Sequence, residues 1–531
     1  MPRPIDLNIP NFTEFRPHQY ETAAQIYAVE ENGIKYALAN LPCGSGKTMM
    51  ALTVARLRDE QFTYIAENIS LQYQCLNDFR PLGAELLLGR NNYPCAKHPE
   101  HSADICDKKS LICEQCVLAK TGCKPDSRQK CTCLEVCAYE TQKFRTLMAP
   151  ISIMNPEYFL YESNNVGMFS GRGFVTLDEA DKWEDILMSF IELKISDSMI
   201  TKYGITHPRY KTKPESWQQW AHETIQIVND QLSKLTGLFG VEDLREQQKL
   251  ERLKSKLMFF EKEANDNWIY DSSNNVFKPI KIAPYCEQFL WRHAEKFLLM
   301  SGTLAPMPLL CVDLGIDIKD AACFDVPSIF ASEQNLVHVR PVADMSFKTQ
   351  DNDFDKMIFE LDHIMDEHPD VKGLVHCVSY SRRDRILRSS RHYDRLITHN
   401  PNDREAKLNQ FINNPEPLVF LSPAVERGID LRDDLCRFIV LTKVPFSNLH
   451  DDRQAAARYY SSSDGKKWYA SQTARRIVQC LGRGCRSEAD YCSNYILDKN
   501  FIRFYGENRL MFPRWWRDTV RIELKEEVMT V

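Results

Sequence analysis

Short apolar runs, each followed by a stretch of helical periodicity, recur between residues 34 and 90 and again between 370 and 500. That alternation predicts parallel strands buried on both faces and joined by crossover helices, an α/β architecture in two halves. IKYALANL reads as the first buried strand, running through the turn PCGSGKT into the helical MMALTVARLRDE. GFVTL in the first half and PLVFLSP in the second read as further strands. A different pattern separates the halves. Leu232, Leu235, Leu250, Leu253, Leu257 and Phe260 recur at helical spacing around Gly237 and Gly240, which predicts an antiparallel helical pair. DSSNN at 271–275 then reads as a hairpin turn leading back toward the first half.

Composition narrows the class. A chain of 531 residues exceeds one ordinary core and predicts about three or four domains. With 43% hydrophobic and 26% charged residues it reads as soluble and globular. No apolar run approaches the roughly 20 residues of a membrane span. The opening MPRPIDLNIPNFTEF lacks the layout of a secretory signal, so the expected location is cytoplasmic, with no membrane partner. A formal charge of −6 means that any nucleic-acid site must be a local patch. Eight of the 18 cysteines fall between Cys95 and Cys137, and the others are scattered through strand-like and helix-like runs. That scatter fits reduced thiols, so the clustered eight read as metal ligands and not as a disulfide framework.

The turns carry the chemistry. Gly44, Ser45, Gly46, Lys47 and Thr48 form a phosphate loop, in which backbone N–H groups close around phosphate oxygens at a helix N-terminus. Lys47 would reach the β- and γ-phosphates of ATP, and Thr48 would ligate Mg²⁺. Leu41 stands at the first position of the loop pattern, where Gly or Ala is usual. Asp178 and Glu179 follow the GFVTL strand, Asp178 to hold Mg²⁺ and Glu179 to orient the attacking water. Gln19, in FRPHQ, offers an amide to both edges of an adenine. In the second half, PLVFLSPAVERGIDL carries Glu426, Gly428 and Asp430. QTARRIVQCLGRGCR places Gln479, Arg483 and Arg486 at helical spacing. Two arginines facing a γ-phosphate from a second domain would stabilise the transferred charge.

These motifs, in this order, resemble superfamily 2 helicases, and within them the XPD/DinG family of iron–sulfur DNA helicases. LPCGSGKT is similar to that superfamily's motif I, DEAD to motif II, MSGTLAP (Met300 to Pro306) to motif III, HCVSYS to motif IV, ERGIDL to motif V and QCLGRGCR to motif VI. Asp181 stands where most of the family carries His, and Glu67 and Asn68 where relatives place a phosphate-contacting Thr. The resemblance implies two RecA-like parallel-sheet motor domains, the first interrupted by a Cys-rich metal-binding insert and a helical arch. It divides the chain into motor domain 1 (1–88, 141–190 and 285–325), the insert (89–140), the arch (191–284) and motor domain 2 (326–531). The family's GR-x-NY-x-C lead-in and its exit from the insert select Cys95 and Cys137 as ligands. Relatives' spacing adds Cys131, and the fourth ligand is one of Cys106, Cys113, Cys116 and Cys123, of which Cys116 is taken, for a [4Fe–4S] cluster. One or two Zn²⁺ sites, using Cys113-x-x-Cys116 with His98 or His101, form the alternative.

The function implied is an ATP-dependent DNA helicase that tracks single-stranded DNA 5′ to 3′ and splits duplex junctions with its metal domain. It would act as a monomer, in a bacterial cell or phage-infected host. Two alternatives stand beside it: a translocase that remodels protein–DNA complexes, and an RNA-directed helicase of the DEAD type. The arginine-rich segment from Tyr380 to Arg395 reads either as part of a nucleic-acid face or as a solvated helix. Trp515 and Trp516 read as C-terminal packing.

Overall fold

The computed structural model describes residues 2–9, 12–42, 44–95, 101–103, 137–236, 241–304, 306–346, 351–423, 431, 433–450, 452–482 and 490–523. Strands β1 (Tyr36–Asn40), β2 (Phe62–Ile65), β3 (Ala84–Leu86), β4 (Ile151–Met154) and β5 (Arg172–Leu177) join β9 (Ala294–Ser301) and β10 (Ala321–Asp325) in one sheet. Its order is β10-β1-β9-β5-β2-β4-β3, and every pairing is parallel. The apolar runs read as strands lie here, and β1 is buried at all five positions. Two apolar clusters cover the faces of this sheet.

A second seven-stranded parallel sheet is built from β11 (Val337–Ala343), β12 (Gly373–His376), β13 (Leu396–Thr398), β14 (Val419–Ser422), β15 (Phe438–Leu441), β16 (Ser493–Asp498) and β17 (Val520–Ile522). Its order is β13-β14-β12-β15-β16-β11-β17. Two seven-stranded parallel sheets, each with apolar clusters of its own, make this an α/β chain with two RecA-like lobes.

Between β5 and β9 the chain forms a small antiparallel sheet, β6 (Leu193–Lys194), β8 (Val276–Pro279) and β7 (Trp268–Asp271), under two long helices. These helices, Pro214–Leu235 and Val241–Glu263, run antiparallel: Gln218 near the start of the first bonds the Ala264 carbonyl just past the end of the second, and His222 meets Glu261. Leu250, Leu253, Leu257 and Phe260 are buried between them and the sheet, with Leu232 and Leu235 at the margin. Gly237 and Gly240 lie outside the described residues. The DSSNN segment is the turn from β7 to β8, with Asn275 in the left-handed region at φ +52°.

Register sets what comes next. β1 lies between β10 and β9, with Asn40 opposite both Asp325 and Ser301, and Leu177 of β5 pairs with Leu299 of β9. The loops leaving β1, β5, β9 and β10 therefore emerge side by side along one edge of the sheet. In open α/β sheets the carboxyl ends of the strands are where ligands bind.

Candidate nucleotide site at the junction of two sheets

The loop after β1 turns because Gly44 and Gly46 hold φ of +80° and +75°, a region that costs a side chain strain. Gly46 then caps the helix Lys47–Arg58, so backbone N–H groups of its first turn point out of the loop. Gln19 is 3% exposed and packs against this loop. Its Nε2 donates to the Ser45 carbonyl at 2.8 Å, while its Oε1 accepts the Arg16 backbone N–H at 2.7 Å. The Arg16 guanidinium donates to the Gly44 carbonyl.

Lys47 Nζ reaches Glu179 Oε1 at 2.8 Å, which joins the loop to the carboxylates that follow β5. Glu179 sits in the left-handed region at φ +47°, uncommon for a residue with a long side chain, and this turns it toward Lys47. Burial pushes the Glu179 carboxyl up, but the Lys47 ammonium and its hydrogen bond outweigh burial and hold it at about 2. Asp178, 4% exposed, goes the other way: burial raises it above the usual carboxylate range, against the pull of Lys47. Tyr64 donates to Asp178 Oδ2 at 3.0 Å, and the Glu179 backbone N–H donates to Oδ1 at 2.9 Å. Ser301, at the end of β9, donates to Glu179 Oε2 at 3.3 Å and lies 3.3 Å from the Thr303 hydroxyl.

The second lobe closes on this edge through the helix Ser463–Leu481. Gln479 donates from Nε2 to Asp181 Oδ2 at 2.7 Å and lies 3.5 Å from Thr303 Oγ1. The Asp at 181 thus has a direct partner: a carboxylate accepts from the amide of the opposite lobe. Trp515 donates to the Gly302 carbonyl at 3.1 Å, a further bond between lobes. Lower on the same interface, Arg458 donates to both Glu184 and Asp313 across the junction. Glu184 also accepts from Trp468 Nε1 at 2.9 Å and from Gln472 Nε2 at 3.2 Å.

Of the residues singled out from sequence, Gln19, Gly44, Ser45, Gly46, Lys47, Thr48, Asp178, Glu179 and Gln479 gather at this junction. Arg483, Arg486, Gly428 and Asp430 lie outside the described residues, as do Cys116 and Cys131. Cys95 and Cys137 are 1% and 2% exposed, at the two ends of the Cys-rich stretch. Among the described residues no group of three or more His, Cys, Asp or Glu is placed to hold a metal ion. Glu67 pairs with Lys182, and Asn68 caps the helix Ile69–Phe79 through the Ser70 backbone N–H at 2.8 Å, so both serve the protein's own structure.

Most of the arginines that follow β12 are also engaged internally. Arg383 bonds Asp384 and the His399 carbonyl, and Arg385 and Arg391 pair with Asp351 and Asp366. Arg395 binds four backbone carbonyls. Trp516 is fully buried in the second lobe, as the packing assignment requires. Sequence reasoning passed over Tyr64, Glu184, Asp313, Phe330 and Arg458. Each acts across the fold and lies in no motif. Ser301 and Thr303 sat inside a quoted motif, and that was their signal.

Residues 12–107 match a model described as the res subunit of type III restriction enzymes, and residues 362–519 match a helicase C-terminal domain. The chain is 27% identical over 260 residues to a regulator of telomere elongation helicase 1 homolog of Aedes aegypti, covering 42% of this chain and 25% of that one. It is 25% identical over 248 residues to the ATP-dependent DNA helicase DinG of Photobacterium profundum, covering 43% of this chain and 35% of that one. The chain thus spans a quarter to about a third of the length of these relatives. A solved XPD helicase superposes with a TM-score of 0.63 at 16% identity, over 96% of this chain and all of that one. The structure of S. tokodaii Xpd4 gives 0.57 at 15% identity, over 96% of this chain and 100% of that one. With a helicase C-terminal match in the second lobe and an XPD-like fold along its length, the chain is similar to helicases of the XPD/DinG type.

Proposed function

We propose that this chain hydrolyses ATP at the junction of its two sheets and uses the cycle to move along single-stranded DNA and separate duplex. The observation that carries the reading is the pair of contacts at one edge: Lys47 on Glu179 at 2.8 Å and, beside it, Gln479 of the second lobe on Asp181 at 2.7 Å. A phosphate loop, its paired carboxylate and a sensor from the opposite lobe then form one connected unit.

The geometry implies an order of events. The Lys47 ammonium and the Glu179 carboxylate neutralise each other. ATP phosphates draw Lys47 away, and Glu179 is left as a bare carboxylate positioned by Ser301 to hold the attacking water. The buried Asp178 carboxylate, with the Thr48 hydroxyl, would hold Mg²⁺, which would supply charge neutralisation at the phosphates. Arg483 and Arg486 would face the γ-phosphate from the second lobe. Loss of that phosphate would remove its tie to Arg483 and Arg486, the lobes would part, and two grips on the strand would alternate.

The stretch 89–140 would form the wedge, with Cys95, Cys116, Cys131 and Cys137 holding a [4Fe–4S] cluster or zinc. The dry setting of Cys95 and Cys137 suits soft thiolate ligation of either. The helical pair would arch over the exiting strand. Direction is 5′ to 3′ and the working unit a monomer in this reading.

Lys47→Ala tests the motor. It should abolish hydrolysis and strand separation on a tailed duplex while the chain stays folded. Unwinding by that variant would refute the assignment. Stimulation by single-stranded RNA but not DNA would move the chain to an RNA substrate. Displacement of a bound protein without strand separation would make it a remodeller.

A further inference from the structure

On the reading that ATP is hydrolysed at this junction, we propose that Trp515 is a positioning residue for the reaction. Its indole N–H reaches from the second lobe to Gly302 and thereby keeps the Ser301 hydroxyl on Glu179.

Trp515 and Trp516 face different surroundings. Pro513 starts the short helix Arg514–Arg517, in which neighbours point about 100° apart. Trp516 is fully buried in the core of the second lobe, while Trp515 stays partly exposed at its border. Trp515 Nε1 donates to the Gly302 carbonyl at 3.1 Å, across 213 residues of sequence. The same ring lies against Gly482, where a Cβ would stand 3.4 Å from Cη2. Gly482 caps the helix Ser463–Leu481 that carries Gln479. Trp515 and Pro42, in the loop after β1, also line one cavity of about 310 Å³. One indole thus meets the turn after β9, the end of the Gln479 helix and the approach to the phosphate loop.

The turn itself lies close on the first lobe. The Leu41 backbone N–H donates to the Ser301 carbonyl at 2.8 Å, and a Cβ on Gly302 would stand 3.3 Å from the Leu41 carbonyl oxygen. A side chain at 302 would crowd that oxygen, so glycine permits the close approach. On either side of Gly302 stand two hydroxyls that face the site. Ser301 donates to Glu179 Oε2 at 3.3 Å, and Thr303 Oγ1 lies 3.5 Å from Gln479 Nε2. A hydroxyl bond is ordinarily about 2.5–3.0 Å long, so the Ser301 bond is a long one and a small shift of the turn decides whether it acts. The bond from Trp515, made to the next residue, limits that shift. Without it the Gly302 carbonyl loses this donor and the turn is freed at its centre.

Glu179 would hold the water, whereas the phosphates belong to Lys47 and the loop 44–48. Loss of the indole N–H should therefore fall on kcat more than on KM.

The test is steady-state ATPase kinetics, with and without single-stranded DNA, on the full chain, Trp515→Phe, Ser301→Ala and the double variant, with thermal melting of each. Phenylalanine keeps an aromatic ring beside Gly482 and removes the donor. Trp515→Phe should lower kcat about three- to tenfold, the weight of one neutral hydrogen bond, with KM held within about twofold. Ser301→Ala should lower kcat by at least as much. In the Ser301→Ala background, Trp515→Phe should cost less than about twofold further, since the hydroxyl it positions is gone. An unchanged kcat in either single variant would overturn the proposal. So would losses that multiply undiminished in the double variant, or a Trp515→Phe effect confined to KM and melting temperature. A parent chain without ATPase activity refutes the nucleotide site itself. An active parent with an indifferent Trp515→Phe refutes this inference and leaves that site standing.

Discussion

Arg458→Met tests how the two lobes are held together. The Arg458 guanidinium has 3% side-chain exposure and binds Glu184 and Asp313, at 4% and 3%. It also lies over the Trp468 ring, 4.2 Å from its centre. Methionine approximates the volume but removes the charge, which leaves two carboxylates buried without this partner. Breaking a buried pair from one side costs about 3–5 kcal/mol. Glu184→Gln should cost less, about 1–3 kcal/mol, since its oxygen still accepts from Trp468 and Gln472.

The double variant leaves only Asp313 stranded, so it should be less damaging than the sum of the two, by roughly 2 kcal/mol of coupling. Urea unfolding of the four proteins, followed by tryptophan fluorescence and far-UV circular dichroism, measures this cycle. Glu184 lies five residues past Glu179, and Gln472 shares a helix with Gln479, so ATPase kcat should fall with stability. Additivity within about 0.5 kcal/mol, or a loss below about 1 kcal/mol in Arg458→Met, would refute the view that this cluster locks the interface.

Asp181→Ala should lower kcat by about 10- to 100-fold at nearly constant KM, because it removes a charge-assisted bond worth about 1.5–3 kcal/mol; Asp181→Asn, which keeps an acceptor, should be milder, as steady-state kinetics would show. His293 is 1% exposed, and burial, with Arg292 nearby, lowers it to about 4. A depressed group stabilises the fold above its unfolded pKa of about 6.5 and loses that contribution as pH falls through about 4. Melting temperature should therefore drop between pH 6.5 and 4, by an amount equivalent to roughly 3 kcal/mol, and His293→Asn should flatten that drop. Leu257→Ala, in the helical pair, should cost about 2–5 kcal/mol by cavity formation, read by denaturation with the ATPase rate of the folded fraction preserved.

The motifs were legible because each is local. A strand, a glycine turn and a helix N-terminus make a phosphate loop within a dozen residues, and backbone chemistry there follows from residue type. The helical pair was legible for the same reason: its apolar stripe repeats within each helix. Asp181 was the instructive departure. Read by itself it broke a family pattern, yet its role rests on Gln479, which it meets only when the second lobe docks.

Sequence alone determined the α/β class, the order of the ATPase motifs and the place of the helical pair, since hydrophobic period and turn chemistry are properties of neighbours along the chain. It also marked Gln19 as a candidate nucleotide-site residue, but not what its amide would touch. Tertiary structure alone decided the rest. Arg458 lies 274 residues from Glu184 and 145 from Asp313, and nothing in the pattern around any of the three announces a partner. Phe330 reads as one apolar residue in a linker until folding brings it to Gly44. Periodicity tells which face of an element is buried; it carries no information on which other face will bury it, and the junction between these lobes is made of such meetings.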